Sequence, residues 1–112
     1  NSSPSSNTYI TSNTTWSDYR ILCDNLIIQN GATLTITGTV SSSLDNSITV
    51  NSNSTLLVDG CRLLNADITV NSTADLEIDR DGIITLREND DLVISTGAEL
   101  SIESGEIIVV EE

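Results

Sequence analysis

The chain has 112 residues, an apolar fraction of 38% and a formal charge of −13, set by four Arg against seventeen Asp and Glu. That is the size of one domain, and its charge repels phosphates and anionic lipid, which argues against nucleic acid and membrane surfaces as partners. No apolar run approaches the ~20 residues that span a bilayer, and no signal peptide is present, so any export signal is expected to have been removed or to lie outside this sequence.

The only aromatics are Tyr9, Trp16 and Tyr19, and Lys, His, Met and Phe are missing. A core cannot be built here from large rings; it must come from Ile, Leu and Val repeated in register. High charge alone favours disorder, but the β-branched periodicity argues against it.

In chain order, residues 1–7 (NSSPSSN) read as a flexible polar tail carrying the only Pro. Residues 8–24 hold every aromatic and read as an N-terminal capping segment with a first partial coil. Trp16, with Tyr9 or Tyr19, is expected to cap the open end of the core. Residues 25–112 read as repeats. Four segments share one pattern, beginning at Asn25 (NLIIQNGATLTITG), Ser47 (SITVNSNSTLLVDG), Asp67 (DITVNSTADLEIDRDG) and Asp91 (DLVISTGAELSIESG), offset by 22, 20 and 24 residues. Superposed, they give columns: Leu26, Ile48, Ile68, Leu92; Ile28, Val50, Val70, Ile94; Leu34, Leu56, Leu76, Leu100; Ile36, Val58, Ile78, Ile102. Apolar residues at i and i+2 are the period of a strand with one buried face, and a repeat near twenty residues is the mark of a solenoid.

Polar corners such as Gln29-Asn30-Gly31 separate the two strands of each copy, and a Gly follows the second strand at Gly38, Gly60, Gly82 and Gly105. A third column, Leu22, Leu44, Leu64 and Leu86, is expected to close a triangular coil. Length differences fall at 41–43, 79–82 and 87–91. The fold expected is all-β: a right-handed parallel β-helix (β-solenoid) of about five rungs of 20–24 residues, ~25 Å tall at the ~4.8 Å strand spacing. An antiparallel sandwich also alternates, but gives no reason for columns to recur at twenty-odd residues.

Outward positions of the second strand turn acidic along the chain: Thr33, Thr55, Asp75, Glu99; Thr35, Leu57, Glu77, Ser101; Thr37, Asp59, Asp79, Glu103. Stacked carboxylates invite cations or the nearby Arg62 and Arg80, so Asp59, Asp79 and Glu103 form a candidate Ca²⁺ set. Glu88, Asp90 and Asp91 form a second, though without the Gly and spacing of an EF-hand loop. The competing reading of both is a solvated acidic face. Paired carboxylates could hydrolyse glycosides, but five rungs offer little groove and the chain has neither Lys nor His, so no catalytic residue is assigned. A Thr-x-Thr ice-binding face would have to recur in every rung, and only the first copy has it. Asn51 and Asn71 are expected to stack along one corner. Cys23 and Cys61, placed two rungs apart, exceed the ~7 Å Cα limit for a disulfide and are expected to stay separate. The N-x-Ser/Thr matches at Asn1, Asn13, Asn53 and Asn71 are no more than chance gives in so Ser/Thr-rich a chain.

The run TTWSDYRILCDNLIIQNGATLTITGTV, followed by SITVNSNSTLLVDGCRLLNADITV, resembles secreted right-handed β-helix repeat modules of Bacteroidetes-type surface proteins. Such modules open with a TW segment, then a strand followed by GATLTI, then a strand ending LIVDG. The likeness runs from about Thr14 to Val70. It implies export and a parallel β-helix, and carries no catalytic residue, because these modules occur in adhesins, stalks and enzymes alike.

These readings give a non-catalytic structural or adhesive module of a secreted or cell-surface protein, a filament or stalk unit. The run EIIVVEE enters a sixth rung and stops, so self-association or a downstream domain is expected at the C-terminal end. The alternative is a carbohydrate-binding or carbohydrate-active domain that uses the acidic face, with glycans as partners and calcium as its cofactor.

Overall fold

The computed structural model describes residues 7–42, 46–64, 67–87 and 91–110. The described residues contain strands and turns and no helix. The first coil comprises β1 (Asn7–Ile10), β2 (Thr14–Trp16) and β3 (Arg20–Leu22). The second comprises β4 (Asn25–Ile28), β5 (Thr33–Ile36) and β6 (Thr39–Ser42), and the third β7 (Ser47–Val50), β8 (Thr55–Asp59) and β9 (Arg62–Leu64). The fourth comprises β10 (Asp67–Val70), β11 (Asp75–Asp79) and β12 (Gly82–Arg87), and the fifth β13 (Leu92–Ile94), β14 (Glu99–Ile102) and β15 (Gly105–Val110).

Each strand pairs in parallel with its counterpart in the next coil, giving three five-stranded sheets in the orders β1-β4-β7-β10-β13, β2-β5-β8-β11-β14 and β3-β6-β9-β12-β15. The chain is a parallel β-helix. Because the strand period is two, one register places every second residue inside, and a slip of one residue would turn each column out to water. The columns of the first two sheets pair as the repeat requires: Leu26 with Ile48, Ile48 with Ile68, Ile68 with Leu92, and Leu34, Leu56, Leu76 and Leu100 in succession. From the second to the fourth coil these inward side chains are wholly buried.

The third side differs from the expected Leu column. Val40 pairs with Leu63, Leu63 with Ile84 and Ile84 with Ile107, and these make the inward column. Leu64 instead faces outward between Ser41 and Thr85, Leu22 pairs with Ser42, and Leu86 with Val109. Leu44 lies outside the described residues. The strands RIL, TVSS and RLL do not alternate cleanly, so their register is set by the ladder with neighbouring coils, which their own side chains do not reveal. Ser41 and Ser42, expected at a corner, lie within β6, and the Ser42 hydroxyl is buried and bonded to the Asn46 side chain.

The glycine column is also shifted. Gly82 pairs with Gly105, and Ile83 with Arg62, so Gly82 stands over Cys61 and not over Gly60. A Cβ at Gly38 would come within 2.2 Å of the Asp18 carbonyl oxygen, and one at Gly82 within 2.7 Å of the Val58 carbonyl oxygen. Coils approach so closely at this corner that a side chain must find space elsewhere: Cys61 points its thiol inward, where Sγ donates to the Ile36 carbonyl at 2.9 Å.

From the second coil on, each corner between first and second strands uses a left-handed residue: Gly31, Asn53, Thr73 and Gly97 have φ of 72°, 67°, 66° and 90°. Backbone bonds run from Asn53 to Thr73 and from Thr73 to Gly97, at 3.2 and 3.1 Å, so the ladder continues through the bend. Thr73 is β-branched and holds a strained conformation there, on the order of 1–3 kcal/mol. Beside this line Asn71 donates to Asn51 at 2.9 Å, the stacked amides expected from sequence, and the buried Ser54 hydroxyl accepts from the Gly31 N–H.

Residues 1–6 lie outside the described residues. Asn7, expected in the tail, belongs to β1, and the segment expected to be a partial coil forms all three sides of the first layer.

Candidate functional site

Outward side chains divide the surface by charge. On the first sheet the central outward column is Tyr9, Ile27, Thr49, Thr69 and Val93, without a charge. On the second sheet the fourth and fifth coils present Asp75, Glu77 and Asp79 beside Glu99 and Glu103.

Asp59 and Asp79 are register partners, and with Arg80, Glu103 and Ser104 they line one open depression. Arg80 Nε and Nη2 donate to Asp59 Oδ1 and Oδ2, each at 2.8 Å, a two-pronged bond reaching back one coil. That bond, more than the bare charge, holds the Asp59 carboxyl below its ordinary value of 3.8. The neighbouring Asp79 Oδ1 is buried and accepts no hydrogen bond from the described residues. The second Arg of the expected pair, Arg62, is exposed on the third sheet, beside Thr39 and Ile83, and does not line the depression.

Of the calcium set, Asp59, Asp79 and Glu103 therefore share a groove, but both Asp59 oxygens are occupied by Arg80. Among the described residues no group of three Asp, Glu, His or Cys side chains is gathered as a metal site. Of the second set, Glu88 and Asp90 lie outside the described residues. Asp91 is exposed, and its N–H donates to Asp67 Oδ1 at 2.9 Å.

Glu77 stands at the centre of the acidic face. Partial burial, then the charges of Asp79, Asp75, Glu103 and Glu99, hold its carboxyl above the ordinary 4.5. The folded state thus holds the Glu77 proton more tightly than the unfolded chain does. Stability falls as pH rises from that ordinary value through the raised one. Asp59 acts in the opposite sense, and its contribution is lost as pH falls below 3.8 through its lowered value. Melting curves should therefore show Tm rising as pH is lowered from 7 toward 4.5, and Glu77→Gln should raise Tm at pH 7 by a few degrees and reduce that slope. A variant less stable than the parent at pH 7 would contradict this.

At the opposite end, Trp16 occupies an inward position of the first coil, paired with Ile36, and is buried. The Arg20 guanidinium lies 4.5 Å over its ring centroid and is bonded to Asp18. Tyr9 and Tyr19 do not join it, since both are exposed: Tyr9 falls between the inward Thr8 and Ile10 and so points outward beside Ile27. Arg20 takes the place at Trp16 that was expected of a tyrosine. A shallow pocket under this end is lined by Thr8, Trp16, Arg20, Ile21 and Asp24.

Cys23 and Cys61 form no disulfide. Burial pushes the Cys61 thiol up to about 11, whereas Cys23 is exposed. Because the thiolate is the reactive form, iodoacetamide at pH 8 should alkylate Cys23 alone in the native protein and both residues in denaturant. Equal native labelling of the two, read by mass spectrometry, would refute the buried placement.

The other distinctive surface is the final coil. Leu100 and Ile102 are 38 and 45% exposed, whereas Leu34, Leu56 and Leu76, and Ile36, Val58 and Ile78, which precede them in the same columns, are at 0%; Val109, 64% exposed, pairs with Leu86 at 4%. The sequence signal for this surface was the unbroken column; what it did not show was that the first coil is different. There Thr8, Thr14 and Arg20 replace aliphatic residues at positions paired with Leu26, Leu34 and Val40.

Fold and surfaces together define a parallel β-solenoid with one polar, aromatic end, one apolar end and one acidic face. Comparison with protein-family models, with curated proteins and with solved structures finds no match.

Proposed function

We propose that this chain is a non-catalytic structural or adhesive module of a secreted or cell-surface protein, a rigid β-solenoid segment. The observation that carries the reading is the fold itself: three parallel five-stranded sheets stack their coils around one aliphatic core, a stiff frame whose sides carry one uncharged and one acidic set of outward side chains. The resemblance of the Thr14–Val70 stretch to surface β-helix repeats supports export, and the uncharged column from Tyr9 to Val93 is the face suited to adhesive contact. Immunogold electron microscopy of intact source cells with antibodies to this chain tests the reading. Label outside the envelope is expected, and exclusively cytoplasmic label would overturn it.

A further inference from the structure

Beyond that reading, and independently of it, we infer that the outer face of the third sheet is a lateral interface between two copies of this chain, packed antiparallel about a two-fold axis at Ile83. On this side the outward positions are largely aliphatic: Leu64 on β9, Ile83 on β12 and Ile108 on β15 are the outward neighbours of the inward Leu63, Ile84 and Ile107. A strand that is apolar on both faces is the pattern of a sheet covered on both sides. The outward positions of the second sheet in the same three coils are mostly Thr, Asp, Glu and Ser. Leu64 and Ile83 belong to the third and fourth coils, with paired strands on both sides of them, so the side they face does not depend on what precedes or follows the described coils.

Charge selects the occupant. A molecule of net charge −13 repels its own copy. The third sheet is where that repulsion is least, because its strands carry Arg20, Arg62 and Arg87 against Glu106 alone, three of the four Arg in the chain. Arg62, Ile83 and Glu106 are successive register partners in one outward column, so Arg62 and Glu106 lie on either side of Ile83, each ~4.8 Å away along the solenoid. A two-fold axis along the strand direction at that level brings Ile83 to Ile83 and sets Arg62 of each copy opposite Glu106 of the other. It also sets Leu64 opposite Ile108, which flank Thr85 in the next outward column. Copies running in the same direction would leave Arg62 and Glu106 about 10 Å apart along the solenoid. The second sheet of a copy would lay Asp75 and Glu77 on Leu64 and Ile83, stripping carboxylates of water without a partner. Arg87, the last residue of β12, is already engaged within its own chain. Three facing coils make a small interface, so the dimer is weak, with a Kd on the order of 10⁻⁵ M.

A charge-swap experiment tests this. Sedimentation velocity of the wild type at pH 7, from about 1 to 500 μM, should show monomer passing into dimer as concentration rises. R62E alone, or E106R alone, places like charges opposite one another twice and should weaken the dimer at least about tenfold. Both positions are exposed, so circular dichroism should show the fold unchanged in each variant. Mixed in equal amounts, the two variants should form a heterodimer within about threefold of wild-type affinity, since every facing pair is then opposite in sign. I83D should leave only monomer. A wild type that stays monomeric throughout, a dimer indifferent to R62E, or a mixture that fails to recover would each overturn the interface. The wild-type titration is decisive even where a variant folds less well. None of these results moves the cell-surface labelling, so the two readings fail separately.

Discussion

Leu56→Ala is expected to destabilise the protein by about 2–5 kcal/mol, as for a buried leucine whose cavity cannot collapse. Leu100→Ala, in the same column, should cost only about 1 kcal/mol, because much of that side chain is already in water. Leu56 stacks between Leu34 and Leu76 and is wholly buried, so its removal leaves two coils without their shared contact. For a domain whose total stability is on the order of 5–15 kcal/mol, the first change takes a large share. Urea unfolding followed by circular dichroism measures both, and should show a lower midpoint with an unchanged slope for Leu56→Ala. Equal losses at the two positions would contradict the difference in burial between the third and fifth coils.

Gly38→Ala should be nearly as damaging, for a reason unrelated to hydrophobicity. The added methyl would lie 2.2 Å from the Asp18 carbonyl oxygen and 2.8 Å from the carbonyl carbons of Ser17 and Asp18. All three are backbone atoms, so no side chain can swing aside. The N–H groups of Thr37 and Gly38 both donate to the Trp16 carbonyl, at 2.9 and 3.1 Å, which ties the second coil to the first at this point. Relief requires the coils to separate locally, at a cost of about 3 kcal/mol. Gly31→Ala is the contrasting control: it meets nothing closer than 3.8 Å and is opposed only by its left-handed backbone, about 1–2 kcal/mol. Thermal melting should therefore rank Gly38→Ala well below Gly31→Ala; the reverse order would show that the corner is looser than its geometry indicates.

Both expectations follow from how a solenoid distributes its energy. Each coil touches only its neighbours, so stability is close to a sum of layer contacts and the interior layers carry most of it. The ends are free to differ, and here they do. The first layer exchanges aliphatic residues for Thr8, Thr14 and Arg20 and buries Trp16, while the last keeps its aliphatic columns. The acidic face is compatible with this scheme because its carboxylates stay at least partly in water and Asp59 receives an Arg from the next coil; Asp79 is the exception, with one oxygen buried and without a partner among the described residues.

Much of the architecture was legible from residues alone. Period-two alternation in LIIQ, ITVN and TLTI, recurring at 20–24 residues, dictates parallel stacking, because only identical facing strands bring Leu34, Leu56, Leu76 and Leu100 into one column. The acidic outward positions and their proximity follow from the same register, and so does the separation of the two thiols. The third side was not legible. Its strands are short and mix Arg, Ser and Leu without alternation, so a column of leucines was available that the backbone ladder does not use. Cys61 in a glycine position, Arg80 clasping Asp59 and Arg20 over Trp16 likewise depend on which chains meet across a corner. Local sequence therefore determined which residues alternate and how often the pattern returns, since both are properties of a strand and its neighbours in the chain. Tertiary structure decided the register of the third sheet and the difference between the two ends, because each is settled by hydrogen bonds and contacts between residues some twenty positions apart.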